Sequence, residues 1–304
     1  MDILKQVGLL EQRFSAAGVD NAKRVAEELV AHILECKPLE IYLRNEPLPP
    51  EALLALEQLS GRIEAGEPLQ YVVGHVDFRG LEIKCDPRAL IPRPETEMLV
   101  EEVLDSQVWQ VGLDRRASRP TEGKQDGRLG EPSLPSPRII DIGTGSGCII
   151  LALAKERPDA DFTAVDISSA ALELAQENAR IQGLENKIHW KENHLLSGFA
   201  PESFDAIVAN LPYISTGDWK ALSPAVRDHE PQSALDSGPS GMELIEELAI
   251  QARTVLNPGG MLFLEYGYDQ GNTVSECLKS SGYLNIQIKQ DIADLDRIAI
   301  AENP

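Results

Sequence analysis

The sequence predicts an α/β fold in which a small helical N-terminal region precedes a doubly wound, mostly parallel sheet of seven strands. Three observations support this: helical apolar spacing up to about residue 70, β-branched and aromatic residues after it, and alternating strand and helix patterns from residue 138. The chain has 304 residues, of which 42% are hydrophobic, and is therefore long enough to bury the cores of two domains.

The N-terminal region, residues 1–70, is predicted to be a helical domain. Apolar residues recur at helical spacing in NAKRVAEELVAHILECK, and two prolines open the next helical pattern, PPEALLALEQLSGRIEAGEP. Residues 71–90 are predicted to form a connector. Within it, Tyr71–Asp86 carries a strand pattern on both sides of Arg79 and Gly80, which predicts a β-hairpin.

Residues 91–304 are predicted to form the second domain, which begins with a proline-rich loop and a helix. Residues 112–137 are rich in glycine, proline and charge and are too long for an ordinary connection, so we predict a flexible insertion there. The predicted strands are RIIDIG, DFTAVD, KIHW, FDAIVAN, GMLFLEYG, NIQIKQ and RIAIAEN. No helix separates the last two, so we expect an antiparallel pair at one edge of the sheet.

The composition limits the classes of partner. The net charge is −21, with 28 Lys and Arg against 49 Asp and Glu, which disfavours extended contact with nucleic acid. The cysteines, Cys36, Cys85, Cys148 and Cys277, and the five histidines show no metal-ligand spacing, so we expect reduced thiols and no metal site. We find no membrane-spanning run and no secretory signal, which predicts a soluble, cytoplasmic protein.

The first candidate binding motif is DIGTGSG, residues 141–147. It follows a predicted strand and opens a predicted helix, and its glycines allow close approach of the backbone to a ligand. Its spacing, Gly-x-Gly-x-Gly, fits the pyrophosphate-binding Gly-x-Gly-x-x-Gly fingerprint poorly. Asp166 ends the next strand, where its carboxylate can accept both hydroxyls of a ribose. The combination is typical of S-adenosylmethionine enzymes, and a generic dinucleotide-binding fold is the alternative.

The second candidate motif is NLPY, residues 210–213, at the carboxyl end of the fourth strand of the sheet. The side-chain carbonyl of Asn210 and the backbone carbonyl of Leu211 can each accept one hydrogen of a planar NH2 group. Pro212 would stiffen the turn, and Tyr213 offers an aromatic face for stacking. Because methyl transfer is an in-line displacement, this positioning suffices without a metal. An asparagine turn with a tyrosine at the rim of the sheet is the alternative interpretation.

Together these motifs resemble one family. DIGTGSG, NLPY and the upstream segments PLQYVVGHVDFRG and LIPRPETEMLVE are similar to the HemK/PrmC proteins. Those proteins are S-adenosylmethionine-dependent glutamine N5-methyltransferases that modify the Gly-Gly-Gln tripeptide of class-I peptide release factors. The likeness covers nearly the whole chain, and Ile91–Glu97, IPRPETE, is its most specific part. It implies the class-I methyltransferase fold, which is Rossmann-like.

The resemblance also implies roles for individual residues. Catalysis would fall to Asn210, Pro212 and Tyr213, and substrate binding to these residues with Leu211 and Glu230. The cofactor S-adenosyl-L-methionine, released as S-adenosyl-L-homocysteine, would contact Gly143, Thr144, Gly145, Ser146, Gly147, Asp166, Leu195 and Asn210. Arg93 and Glu95 would shape the pocket, Pro231 would wall the peptide beside Glu230, and the N-terminal domain would dock the release factor.

Two departures from the family and two rival functions remain. Leu211 stands where the family usually has proline, and His194 and Leu195 stand where it often has Asp and an aromatic residue. NLPY also resembles the ribosomal RNA adenine dimethylases, so an adenine methyltransferase acting on RNA or DNA is one rival; the acidic charge and IPRPETE argue against it. A non-catalytic binding module is the other, and the intact motifs argue against that.

Overall fold

A computed structural model describes residues 2–44, 46–109 and 136–304. Of the predicted insertion at 112–137, all but the last two residues lie outside the described residues. The chain packs into two compact units. Unit 1 comprises Met1–Val76, Cys85–Pro87 and Leu222–Glu230. Unit 2 comprises Asp77–Lys84, Arg88–Ala221 and Pro231–Pro304.

Unit 1 is helical. Its helices are α1 (Ile3–Ala16), α2 (Ala22–Ile33), α3 (Pro50–Glu64) and α4 (Leu69–Val73), with a 3-10 helix at Pro38–Leu43 and a short turn of helix at Pro224–Arg227. Apolar residues at helical spacing, among them Leu10, Phe14, Leu29 and Leu56, are fully buried in one cluster. The helical pattern predicted from the sequence is therefore confirmed for this region.

The predicted hairpin at Tyr71–Asp86 was too long. Leu69–Val73 forms helix α4, and the hairpin is confined to β1 (His75–Phe78) and β2 (Leu81–Lys84). Pro68 is extended and starts the helix, and Gly74 ends it with φ +86. A short run of β-branched and aromatic residues fits either structure, and here the flanking proline and glycine favour the helical turn.

The seven-stranded, mostly parallel sheet predicted for unit 2 is confirmed. Its strands are β3 (Arg138–Ile142), β4 (Asp161–Asp166), β5 (Ile188–Glu192), β6 (Phe204–Asn210), β9 (Leu256–Glu265), β10 (Leu284–Gln290) and β11 (Asp296–Glu302). Their order is β10-β11-β9-β6-β3-β4-β5. Strand β11 runs antiparallel to both β10 and β9, so the predicted antiparallel pair at one edge is also confirmed.

The remaining elements of unit 2 connect these strands. The helices are α5 (Pro94–Leu104), α6 (Cys148–Glu156), α7 (Ser169–Ile181), α8 (Glu243–Val255) and α9 (Gly271–Ser280). Short helical turns occupy Gln107–Trp109, Thr216–Trp219 and Gln232–Ala234. Strands β7 (Ile214–Ser215) and β8 (Asp236–Gly238) form a separate parallel pair. Strands alternating with helices bury the sheet, and β6 is buried along nearly all its length.

The site is positioned by the pairing of β3 with β6. From β3 the chain moves outward through β4 and β5 and then returns to β6 on the other side of β3. The two strands are parallel, with Ile142 opposite Ala209, so their carboxyl ends lie side by side. In doubly wound sheets, loops that diverge from such a switch point leave a crevice between them. The Gly-rich loop and NLPY are the two loops here.

The turn from β3 into α6 depends on the absence of a side chain at Gly147. Gly147 has φ +83, and an added Cβ would lie 3.1 Å from Ala175 Cβ and 3.3 Å from Leu151 Cδ1. Gly183, which follows α7, has φ +68 but open space around it. The two positions therefore share backbone strain and differ in crowding.

We expect Gly147→Ala to lower the free energy of unfolding by about 2–4 kcal/mol, the sum of left-handed strain and overpacking. The matched variant Gly183→Ala should lose only about 1–2 kcal/mol, since it carries strain alone. Urea denaturation without added cofactor measures both losses. Equal losses in the two variants would contradict the crowding argument.

Candidate cofactor and acceptor site

A cavity of about 320 Å³ opens in unit 2 at the carboxyl ends of β3, β4 and β6. Its lining includes these sequence-predicted site residues: Arg93, Gly143, Thr144, Gly145, Ser146, Asp166, Leu195, Asn210, Leu211, Pro212 and Pro231. Three other predicted site residues, Glu95, Gly147 and Tyr213, are not part of the described lining. Glu230 is buried in unit 1. The structure therefore brings most of the predicted cofactor and acceptor residues to one cavity.

The sequence analysis missed several lining residues. They are Arg88 to Pro92, Thr96, Ile142, Cys148, Ile149, Val165, Ile167, Ser168, Ala171, Asn193, Ser233, Ala234, Asp236 and Leu244. The segment before α5 could have been found, because IPRPETE was already singled out as specific. The apolar residues Ile142 and Val165 carried no signal beyond their strand pattern, since core residues have the same pattern.

The Gly-rich loop is bound to the end of β4. The backbone N–H groups of Gly143 and Thr144 both donate to the Val165 carbonyl, at 2.8 and 2.9 Å. The buried side chain of Asn178 on α7 donates from Nδ2 to the Ser146 carbonyl at 2.9 Å. Because each of these bonds ties the loop to a neighbouring element, the loop backbone has a fixed conformation at the cavity.

Asp166 is oriented by the backbone. Its Oδ2 accepts from Gly145 N at 2.9 Å, and its Oδ1 accepts from Ser168 N at 2.8 Å. Burial raises the pKa of Asp166 above its ordinary value, while these backbone hydrogen bonds favour the ionised form. Each carboxylate oxygen keeps a further lone pair for a ligand hydroxyl.

Asp141, at the start of the loop, is fully buried, and the sequence analysis gave it no site role. Thr144 Oγ1 donates to its Oδ2 at 2.7 Å, whereas Oδ1 has no hydrogen-bond partner among the described residues. Burial, helped by the nearby charge of Asp166, raises the pKa of Asp141 to about 7. A buried carboxyl oxygen without a partner destabilises the fold, and Asp141 is not among the described residues that line the cavity.

The NLPY loop is held on both sides. An added Cβ on Gly143 would lie 3.0 Å from Leu211 Cδ2, so the buried leucine fills the space beside the Gly-rich loop. Gln270 Nε2 donates to the Tyr213 carbonyl at 2.9 Å, and Ile214 N donates to the Leu235 carbonyl at 3.0 Å. Leu211 is thus fixed by packing.

Two buried polar side chains surround Asn210. Asn210 Nδ2 donates to Thr96 Oγ1 at 3.1 Å, and Glu265 ends β9 directly beside Asn210. Burial raises the pKa of Glu265 to about 7, although hydrogen bonds from Thr96 and Asn210 favour its ionised form. Burial, followed by the charge of Glu265, raises the pKa of Tyr213 to about 12, so this hydroxyl stays protonated at neutral pH.

Neither a metal-binding cluster nor a membrane-spanning helix occurs in residues 2–44, 46–109 and 136–304. No group of three or more His, Cys, Asp or Glu side chains there could hold a metal ion. No helix in those ranges has the length and apolar character needed to cross a bilayer.

Two family models match the chain. Residues 9–74 match the family described as PrmC N-terminal domain, and residues 135–296 match the family described as Methyltransferase domain. Among solved structures, the hMettl16 catalytic domain in complex with MAT2A 3'UTR hairpin 6 is 15% identical, with a TM-score of 0.53. The match covers 79% of this chain and 82% of that one, and it supports the fold alone.

Curated relatives match over nearly their full length. The release factor glutamine methyltransferase of Moorella thermoacetica is 38% identical over 99% of this chain and 98% of its own. The enzyme of the same name from Geobacter sulfurreducens is 36% identical over 92% of this chain and 89% of its own. A third, from Xylella fastidiosa, is 35% identical over 95% of this chain and 96% of its own.

The raised pKa of Glu265 predicts a specific pH dependence of stability. Between its ordinary value of 4.5 and about 7 the folded state keeps the proton that the unfolded state has lost. The contribution of Glu265 to stability therefore falls as pH rises through this window. We expect the unfolding free energy of Glu265→Gln minus that of the wild type to increase by up to about 3 kcal/mol from pH 4.5 to 7 and then to level off.

Urea denaturation at a series of pH values measures this difference. Glu276→Gln, at an exposed position on α9, is the control for loss of one carboxylate. A difference curve for Glu265→Gln as flat as that of the control would show that Glu265 does not titrate in this window.

Proposed function

This chain belongs to the release factor glutamine methyltransferase family, and we propose that it transfers a methyl group to the N5 amide nitrogen of a glutamine in class-I peptide release factors. Within those factors we propose the glutamine of the Gly-Gly-Gln motif as the acceptor. The relatives that carry this name align over at least nine-tenths of the chain. The observation that carries the proposal is the cavity itself, where the Gly-rich loop and Asn210 meet across β3 and β6.

The residues present fit S-adenosyl-L-methionine as the methyl donor. The backbone of Gly143 to Ser146 and the side chain of Leu195 would line it, and Asp166 would accept from the ribose hydroxyls. Gly147 contributes by shaping the turn, since it does not line the cavity.

When bound, this cofactor supplies its methyl group by direct displacement; the sulfur keeps the bond electrons, S-adenosyl-L-homocysteine remains, and the nitrogen loses one proton to water. The chain's residues position the acceptor. Asn210 Oδ1 and the Leu211 carbonyl would each accept one hydrogen of the glutamine NH2. Pro212 limits the motion of the turn, and Tyr213, with its carbonyl bound by Gln270, would stack on the amide plane.

Arg93, Glu95 and Glu230 have supporting roles in this proposal. Arg93 lines the cavity before α5, and Glu95 lies in the first turn of that helix, close enough for its charge to affect Tyr213. Glu230 and the helical N-terminal region would contribute to release factor binding, as the family resemblance implies. The net charge of −21 supports a protein partner over a nucleic acid.

The test of the function is transfer of labelled methyl groups from S-adenosyl-L-methionine to a purified release factor. The same factor with its Gly-Gly-Gln glutamine changed to alanine is the control, and ribosomal RNA is a separate arm. Label in the intact factor alone supports the proposal. Label in RNA and not in protein would overturn it, and no heat on calorimetric titration with the cofactor would favour a non-catalytic module.

We expect Asn210→Ala to lower kcat for the release factor by at least about 100-fold, because one acceptor of the amide hydrogens is lost. Cofactor affinity measured by calorimetry should stay within about threefold, since the loop and Asp166 are intact. Asn186→Ala, in the exposed turn before β5, is the matched control and should leave both quantities unchanged. Unchanged turnover in Asn210→Ala would remove Asn210 from the mechanism.

A further inference from the structure

Asn210 can serve as an acceptor only if its carbonyl oxygen faces the cavity. The amide has an oxygen end and an NH2 end of nearly the same shape, and a half-turn about its last bond exchanges them. The reversed orientation would present two donors to the substrate NH2, which also has two donors. Some feature of the chain must therefore decide between the two orientations.

Two acceptors lie on the inner side of the amide. Thr96, in the first turn of α5, is 2% exposed, and Asn210 Nδ2 donates to its Oγ1 at 3.1 Å. Glu265 is 3% exposed, lies opposite Asn210 in the parallel pairing of β6 with β9, and is near enough to Asn210 and Thr96 for their side chains to favour its ionised form. An NH2 group has two hydrogens, and this side of the site supplies two acceptors.

The arrangement gives each group a consistent role. Thr96 accepts from Asn210 through its oxygen, so its hydroxyl hydrogen is available to Glu265. Glu265 as a carboxylate can only accept, and a donor is therefore excluded from the place where the reversed amide would put its oxygen. The outward end of Asn210, which lines the cavity, is then its carbonyl oxygen.

Packing alone does not explain a carboxyl group here. Glu265 Oε2 has no hydrogen-bond partner among the described residues, although the side chain is almost fully buried. A buried carboxylate with an unpartnered oxygen destabilises the folded chain. The charges near it are mixed, with Glu95 from α5 opposing ionisation and Arg297 from β11 favouring it. Costly buried groups of this kind are concentrated at functional sites.

We propose that Thr96 and Glu265 are positioning residues that bind the NH2 end of Asn210. They thereby turn its carbonyl oxygen toward the side-chain amide of the substrate glutamine. The role of Asn210 as a hydrogen-bond acceptor for the substrate NH2 rests on the proposed function, whereas the fixed orientation of its side chain does not. Thr96 belongs to the segment IPRPETE and is hydrogen-bonded to Asn210 of the NLPY loop. The proposal therefore gives this segment a role in positioning that loop.

The first experiment tests the orientation without catalysis. Full-length protein labelled with 15N-asparagine gives side-chain amide signals, and the Asn210 pair is identified by its absence in Asn210→Ala. At pH 8.5, where Glu265 is ionised, we expect both hydrogens to exchange with water at least about tenfold faster in Thr96→Val than in the wild type. Thr96→Ser, which keeps the hydroxyl, should retain protection within about threefold.

Glu265→Gln provides the second variant, because its NH2 group can occupy either side and so permits the reversed orientation. We expect the same loss of protection there. Rapid exchange of the Asn210 amide in the wild type, or equal exchange rates in the wild type, Thr96→Val and Glu265→Gln, would overturn the proposal.

The kinetic experiment uses the same variants with a release factor as substrate. We expect kcat to fall at least about tenfold in Thr96→Val and Glu265→Gln, with KM and cofactor affinity within about threefold, and near wild-type kcat in Thr96→Ser. A merely structural role would lower cofactor affinity and melting temperature together with kcat. Full kcat in both variants would overturn the proposal. If the wild type transfers no label, the proposed function fails, and the exchange rates still decide the orientation.

Discussion

The parallel pairing of β3 with β6 is the constraint on which the site depends. It places Ile142 opposite Ala209, so the Gly-rich loop and the NLPY loop leave the sheet at neighbouring points. Leu211 then packs so closely on Gly143 that any side chain at 143 would crowd it. The distance between the Gly-rich loop and the NLPY loop is therefore set by the geometry of the sheet.

Three buried carboxyl groups lie near this edge of the sheet, and one of them, Asp166, lines the cavity. Asp141, Asp166 and Glu265 lie at the ends of β3, β4 and β9, and burial raises the pKa of each. Asp166 is compensated by two backbone N–H groups, whereas Asp141 and Glu265 each keep one oxygen without a partner among the described residues. The two unpartnered oxygens destabilise the fold, and costly buried groups of this kind are concentrated at functional sites.

Elements with long, regular apolar patterns were predicted more accurately than short ones. The strands and helices of unit 2 were predicted well because apolar periodicity there extends over whole elements. The hairpin was placed too early because Tyr71–Val73 is a short apolar run, and its helical form was decided by Pro68 and Gly74. Asn210, Leu211 and Pro212 line the cavity, whereas Tyr213 and Gly147 are not part of its described lining.

The sequence by itself determined the family, because the glycine spacing, Asp166, NLPY and IPRPETE are local patterns that together resemble one family. Only the tertiary structure decided which partners surround those motifs. Thr96 lies 114 positions before Asn210, and Glu265 is 55 positions after it, yet helix packing and strand register bring all three together. Such contacts depend on the pairing of distant segments, which no local pattern encodes.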